Sequence, residues 1–361
     1  MSEKPKISAI MSVYNGEEYL PEAIESVINQ TFKSWELIII NDCSTDGTSE
    51  ILKKYAGADE RIKVYTNEHN LKLPSSLNRA LSLCSGEYVA RMDADDICLS
   101  DRFEKQYAFM EENSDVALSS CKFFTLKNGV VSSGGCGGKG DNESLKALLL
   151  VTNPLLHPGI IARADVMKSF MYDTSLTCTE DLELWIRMAR NGLKLEILPE
   201  YLMIYRLHDK QITETTRSRQ QIEVLKIQKE YYADMLECMS KEIAEFYISG
   251  IYFKDKIDIK EFCRYHSFLK AALKNSKSLK KSAVDYAAFE ILAEYKRCGI
   301  TKLQLLRALS HFNPLFLICE ITDRKKRARI DGEKCIAAAE KLGLVHSGGS
   351  ISFPIFSAVS K

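Results

Sequence analysis

A chain of 361 residues, 45% of them hydrophobic, is long enough to bury a sizeable core, which excludes global disorder. Lys and Arg together number 49 and so do Asp and Glu, so a net charge of zero offers nucleic acid no chain-wide basic field. The 11 cysteines are odd in number, scattered and without a C-x-x-C pair, which favours a reducing, cytosolic setting over a disulfide scaffold. In chain order, Lys6 to Tyr14 is a short apolar run. Glu18 to Gln30 then carries Tyr19, Ala23, Ile24, Val27 and Ile28 at helical spacing, with Pro21 tolerable in a first turn. Trp35 to Asn41 (WELIIIN) has the continuous apolar character of a parallel strand covered on both faces. A helix near Thr48 to Ala56, a strand at Arg61 to Thr66, a helix from Pro74 to Cys84, a strand at Glu87 to Met92 and a helix at Asp101 to Asn113 follow.

This βαβαβαβ alternation predicts an open α/β sheet, mostly parallel and Rossmann-like, with helices on both faces. Ligands of such sheets sit beyond the carboxyl ends of the strands. Two acidic clusters, Asn41 to Asp46 and Asp93 to Asp96, fall at those ends. A glycine-rich stretch from Gly129 to Gly140 reads as a mobile loop, either lid or linker. A strand at Gly159 to Arg163, a helix at Glu180 to Asn191 and a strand at Lys194 to Ile204 complete a first domain, 1–214. Residues 215–361 are expected to form a helical C-terminal region. The start MSEKPKISAI lacks the pattern of a signal peptide, and no run of about 18 apolar residues predicts a membrane span.

The chemistry follows from the strand ends. In ARMDADD, Asp93 and Asp95 share a face of extended backbone and Ala94 leaves space between them, which suits Mg²⁺ or Mn²⁺ bound to phosphate. Carboxylates capping the next helix would account for the same residues. Asp42 reads as a turn residue or as an acceptor for a pyrimidine N–H. Glu180 and Asp181 open an amphipathic helix, where acids complement the dipole. Neighbours lie about 100° apart, so only one can face a substrate as general base. Arg91 could help position a nucleotide or form a buried ion pair. His157 could contact diphosphate or acceptor, or fill a core.

Six segments in order, SVYNGEEYLPEAIESVINQTF, NDCSTDGT, EYVARMDADD, HPGIIAR, TEDLELW and YRLHDKQIT, resemble the family 2 glycosyltransferases of the GT-A fold over Lys6 to Thr215. The resemblance implies metal-dependent, inverting transfer of a sugar from a UDP-sugar to an acceptor hydroxyl. It implies that Val13, Tyr14 and Asn15 border the nucleoside with Glu17 nearby, that Asp42 binds uracil and Asp93 the ribose. By the same resemblance, Asp95 and His208 serve the metal, Mn²⁺ or Mg²⁺, and Asp181 is the base. The tail and YRLHDKQIT are also similar to bacterial lipooligosaccharide β-1,3-N-acetylglucosaminyltransferases, which makes GlcNAc the first expected donor and a glycan or lipid-linked glycan the acceptor.

Two departures stand out. Cys43 replaces the glycine of the usual Asp-Asp-Gly-Ser, so the turn is expected to depend less on glycine. Asn70-Leu71-Lys72 replaces Asn-x-Gly, so that loop is expected to be shaped differently. A nicotinamide site is excluded because Tyr14-Asn15-Gly16-Glu17-Glu18 stands where G-x-G-x-x-G is needed, and Gly134 to Lys139 lacks P-loop spacing. A catalytically inactive, sugar-binding scaffold with the same fold is the alternative, distinguished by absence of UDP release and of UDP binding. Near the end, Leu303 to Ile318 is apolar and Arg324 to Arg329 basic. This suits an ordinary packed helix with a solvated charge run, or else peripheral contact with an anionic cytoplasmic leaflet.

Overall fold

The computed structural model describes residues 4–134, 140–149, 152–208 and 211, with short pieces at 220, 223–224, 226–228, 230–231, 333–334 and 345–346. Most of the expected C-terminal helical region, including Leu303 to Arg329, and residues 135–139 of the glycine-rich stretch lie outside the described residues. Contacts divide the chain into two units. The first comprises Met1–Asn128, Gly134–Cys136 and Leu155–Thr216.

Its first half follows the expected alternation: β1 (Ile7–Val13), α1 (Leu20–Ile28), β2 (Trp35–Asn41), α2 (Thr48–Ala58), β3 (Ile62–Thr66), α3 (Leu73–Leu83) and β4 (Tyr88–Asp93). The sequence dictates these elements locally. Every residue of β2 is buried, as a strand covered on both faces requires. Helices α1 and α3 each carry proline in the first turn, where its missing N–H costs nothing. α1 turns Leu20, Ala23, Ile24 and Val27 into the core, against β1 and β2 residues such as Met11, Leu37 and Ile39.

After β4 come β5 (Ile97–Cys98), α4 (Arg102–Glu112), β6 (Val116–Lys127), β7 (Val130–Ser133), α5 (Asn142–Leu149), β8 (Ile161–Arg163), α6 (Ala164–Phe170), α7 (Glu180–Arg190), β9 (Lys194–Arg206) and β10 (Val345–His346). The central sheet of the first unit runs β6-β8-β4-β1-β2-β3. Pairs β1–β2, β1–β4, β2–β3 and β6–β9 are parallel, while β8 lies antiparallel between β4 and β6. In the other unit β10 pairs β7, and Gln228 donates to the Leu149 carbonyl at 3.2 Å. The expected loop at Gly129 to Gly140 therefore begins differently: Asn128 and Gly129, at φ 50° and 76°, make a tight turn into β7. Asn-Gly is the dipeptide such turns demand, and this signal was present in LKNGVV.

At the amino-terminal end of the sheet, Glu36 is buried among Ser8 of β1, Lys63 of β3 and Ser85, which precedes β4. Burial alone would raise its pKa, but the bonds from Lys63, Ser8 and Ser85 outweigh that and hold it at about 2. A folded-state pKa below the unfolded one gives stability that is present above the unfolded value, 4.5, and is lost as pH falls toward about 2. Allowing for the exposed Lys63 ammonium, this amounts to about 2 kcal/mol. Glu36→Gln is expected to lose that amount at pH 7 and to flatten the acid limb, measured by urea unfolding at pH 7, 5 and 3. An acid limb as steep as the wild type's would contradict the assignment.

Candidate active site at the carboxyl edge of the sheet

Strand order assembles the site. β1 lies between β2 and β4, with Val13 opposite Asn41 and Ser12 opposite Asp93, so the ends carrying Asp42 and Asp93 flank the Val13–Asn15 turn. β5 pairs antiparallel with β9, Ile97 opposite Ile204, and this brings the end of β9 onto the Asp95–Asp96 loop. His208 Nε2 lies 2.9 Å from Asp95 Oδ2 across 113 positions of sequence. Ligand atoms of Asp93, Asp95 and Asp96 all lie within 4.8 Å of one another.

The acids differ in environment. Asp93 is clasped by the buried Arg91 guanidinium. Burial nevertheless pushes its pKa up, opposed by Arg91 and reinforced by the Asp95 and Asp181 charges. Asp96 is fully buried; its Oδ1 accepts the Arg206 N–H at 2.9 Å, and among the described residues its Oδ2 has no partner. Burial, then the Asp93 and Asp95 charges, push Asp96 well above the usual carboxylate range. A bound cation relieves such crowding of like charges, and a set dominated by carboxylate oxygens fits Mn²⁺ or Mg²⁺. The orphaned Asp96 oxygen and the Asp95–His208 pair are the structural observations behind that fit.

Helix α7 opens with Glu180 turned inward and Asp181 half-buried, as two neighbours about 100° apart must be. Asp181 Oδ1 accepts the Leu182 N–H at 2.7 Å. Burial, then the Asp181 charge, push Glu180 up, and its Oε2 has no partner among the described residues. His157, in the 3₁₀ turn His157–Gly159, is buried with Nε2 2.9 Å from the Tyr172 hydroxyl, and burial followed by Arg91 holds it neutral. Its ring stands edge-on to Trp185 at 5.8 Å between centroids, so the side chain is packed into the core.

The nucleoside-side residues sort into surface and scaffold. Tyr14 is 52% exposed, an aromatic face held open at the sheet edge. Asn15 accepts Thr45 N–H at 2.8 Å and Glu17 accepts Gly47 N–H at 2.6 Å, so both side chains brace the start of α2. Asp42 is buried. Its Oδ1 accepts Asn67 Nδ2 and Leu71 N–H, at 2.7 and 2.8 Å, and its Oδ2 accepts Lys72 N–H at 2.9 Å. Of about four lone-pair positions on a carboxylate, one on Oδ2 is left for a ligand.

Those bonds bear on the second of the two departures, and the backbone angles on both. Cys43 and Lys72 both stand in left-handed backbone, where glycine is favoured, with φ 63° and 70°. Lys72 also has ψ 164°, a region that glycine alone enters freely, and Asp42 offsets the strain by tying both 71 and 72. Lys72→Gly is therefore expected to stabilise the fold by about 1 kcal/mol, net of the entropy glycine loses. A melting temperature that falls would contradict this.

Sequence reasoning passed over Arg206. It donates from Nε to the Asp95 carbonyl at 2.9 Å, pairs with Glu22 and lies over Tyr19. The signal was its position, two residues before His208 in YRLHDKQIT.

Comparison with known proteins identifies the family. The profile of Glycosyl transferase family 2 matches residues 8–144. An uncharacterised glycosyltransferase of Methanocaldococcus jannaschii is 36% identical over 208 residues, covering 57% of this chain and 72% of that protein. The O-antigen biosynthesis glycosyltransferase WbnJ of Escherichia coli is 31% identical over 277 residues, 74% of this chain and 97% of WbnJ. The crystal structure of S. aureus TarS 1-349 in complex with UDP-GlcNAc superposes with TM-score 0.54 at 19% identity, covering 85% of this chain and 88% of that one, and so shares the GT-A fold. Relatives above 30% identity, one of them spanned almost end to end, together with the family profile, show that the chain belongs to glycosyl transferase family 2 and is a glycosyltransferase.

Proposed function

We propose that the protein is a metal-dependent, inverting glycosyltransferase that moves a sugar, GlcNAc first, from a UDP-sugar to a hydroxyl of a glycan or lipid-linked glycan during surface-glycan assembly. The observation that carries the reading is the 2.9 Å approach of His208 to Asp95 beside Asp93 and Asp96, within electrostatic reach of Asp181. The exposed Tyr14 ring is a platform for uracil, and the remaining Asp42 acceptor position suits its ring N–H. Asp93, steadied by Arg91, is suited to the ribose hydroxyls. Asp95 and His208 are the residues to hold Mn²⁺ or Mg²⁺, which when bound supplies positive charge against the departing diphosphate.

Asp181 takes the proton of the attacking acceptor hydroxyl, and one base suffices for a single displacement with inversion. Glu180, its inward neighbour, is buried with Oε1 3.8 Å from His157 Nδ1, which leaves Asp181 as the more accessible of the two carboxylates. The O-antigen role in WbnJ's name supports surface-glycan synthesis, and the crystal structure of TarS with UDP-GlcNAc supports a UDP-sugar donor, while GlcNAc as the first donor rests on the resemblance carried by the tail and YRLHDKQIT. No helix among the described residues is long and apolar enough to cross a membrane. A cytoplasmic location with peripheral contact through the basic tail, and the division at 214/215, complete the proposal. Screening UDP-sugars for UDP release with Mn²⁺, wild type beside Asp95→Asn, tests it. Release from UDP-GlcNAc that Asp95→Asn abolishes is expected; no release from any UDP-sugar would overturn it.

A further inference from the structure

The arm that delivers His208 begins at the last residue of β9, where pairing with β6 ends at Tyr205 and Arg206 opposite Thr125 and Leu126. One further backbone bond, from the Leu207 N–H to the Leu126 carbonyl at 2.8 Å, carries the chain toward His208, which must meet Asp95 closely. Arg206 adds a constraint from both backbone and side chain on the side of the Asp95–Asp96 loop. Its N–H donates to Asp96 Oδ1 and its Nε–H to the Asp95 carbonyl, each at 2.9 Å. Its Nη2 pairs with Glu22 of α1, and the guanidinium lies 4.5 Å from the centre of the Tyr19 ring. The same ring stands 5.1 Å from the His208 imidazole. Gln211 closes the arm from the other side, donating to the Arg206 carbonyl at 2.5 Å and accepting the His208 N–H at 3.3 Å.

The choice of acceptors matters. Arg91 spends its guanidinium on the Asp93 carboxylate, whereas Arg206 donates to a backbone carbonyl and to Glu22, leaving Asp95 Oδ2 to His208. A planar fork with donors pointing two ways is needed, and a lysine ammonium cannot span the Asp95 carbonyl and Glu22 together. We infer that Arg206 is a positioning residue that locks the His208 arm onto the Asp95–Asp96 loop and so presets the spacing of the cation-binding pair. The inference rests on the reading of Asp95 and His208 as holders of a divalent cation, and groups that orient ligands in this way typically tune metal affinity about 10- to 100-fold.

The test titrates Mn²⁺ into the full-length protein with saturating UDP, following free Mn²⁺ by EPR, for wild type, Arg206→Lys, Arg206→Gln, Asp95→Asn and His208→Ala. Both Arg206 variants are expected to weaken Mn²⁺ binding about tenfold or more. They should raise the metal concentration at half-maximal activity while kcat at saturating Mn²⁺ stays within about threefold. A merely structural role would instead lower the active fraction, and kcat with it, at unchanged Mn²⁺ affinity. Where the Arg206 variants fold poorly, Glu22→Ala, at a side chain 54% exposed, removes one anchor and should weaken Mn²⁺ about threefold. Unchanged Mn²⁺ affinity in the Arg206 and Glu22 variants, with binding lost in Asp95→Asn, overturns the inference alone. Unchanged affinity in Asp95→Asn and His208→Ala overturns the cation reading and the inference with it.

Discussion

Asp181→Asn is expected to lower sugar transfer by about 10²–10⁴-fold, the usual contribution of a positioned general base, while UDP affinity stays within about twofold. The amide keeps the size of the carboxylate and can still accept the Leu182 N–H, so the start of α7 should be preserved. What it loses is the ability to accept the acceptor's proton. The effect should therefore appear in kcat at saturating donor and acceptor, in an assay of labelled sugar transfer. A variant that transfers at the wild-type rate would remove Asp181 from the chemistry and turn attention to its buried neighbour Glu180.

Arg102→Leu is expected to be the most destabilising single change near the site, by about 3–5 kcal/mol. Arg102 is fully buried. Its Nη2 donates to the carbonyls of Arg91 and Ile160 at 2.8 and 3.0 Å, and its Nε donates to Gln106 at 2.9 Å. Gln106 passes a bond at 2.8 Å to the Gly159 carbonyl, so the two side chains together bind the strand of Asp93 to the turn of His157. Leucine would fill part of the space and remove the Arg102 donor from the buried Arg91 carbonyl, at about 1–3 kcal/mol, strip Gln106 Oε1 of its partner, and leave the Ile160 carbonyl with only the Arg91 N–H at 3.1 Å. The melting temperature should fall by about 10 °C or more. Lysine should rescue little, since one ammonium cannot replace a fork that reaches three acceptors. A midpoint within about 2 °C of wild type would show that water or neighbouring groups satisfy these carbonyls.

Elements whose evidence is local were legible in the sequence. WELIIIN could only be a doubly covered strand, the prolines at 21 and 74 marked helix starts, and alternation through Met92 fixed which strand ends share an edge. Proximity of Asp42 to the Asp93 cluster followed from that edge alone. Features that depend on distant pairing were not legible. β5 is two residues long and exists because β9 comes back to pair with it. The parallel pairing of β6 with β9 joins segments about 80 positions apart and has no local signature.

Side-chain roles divided in the same way. That Glu180 and Asp181 face differently was a consequence of helix geometry. That Asn15 and Glu17 brace α2, or that Asp42 restrains a strained Lys72, required knowing which backbone N–H groups lay within reach. Cys43 and Lys72 carry the broader lesson: neighbours can hold a non-glycine residue in left-handed backbone, which residue type alone does not announce.

The central claim is that the carboxyl edge of this sheet is a cation-dependent UDP-sugar site, and calorimetric titration of UDP into the full-length protein tests it most directly. Binding in Mn²⁺ that weakens about tenfold or more in EDTA is the predicted result. Equal binding with and without the metal, or no binding of UDP in either, would contradict it.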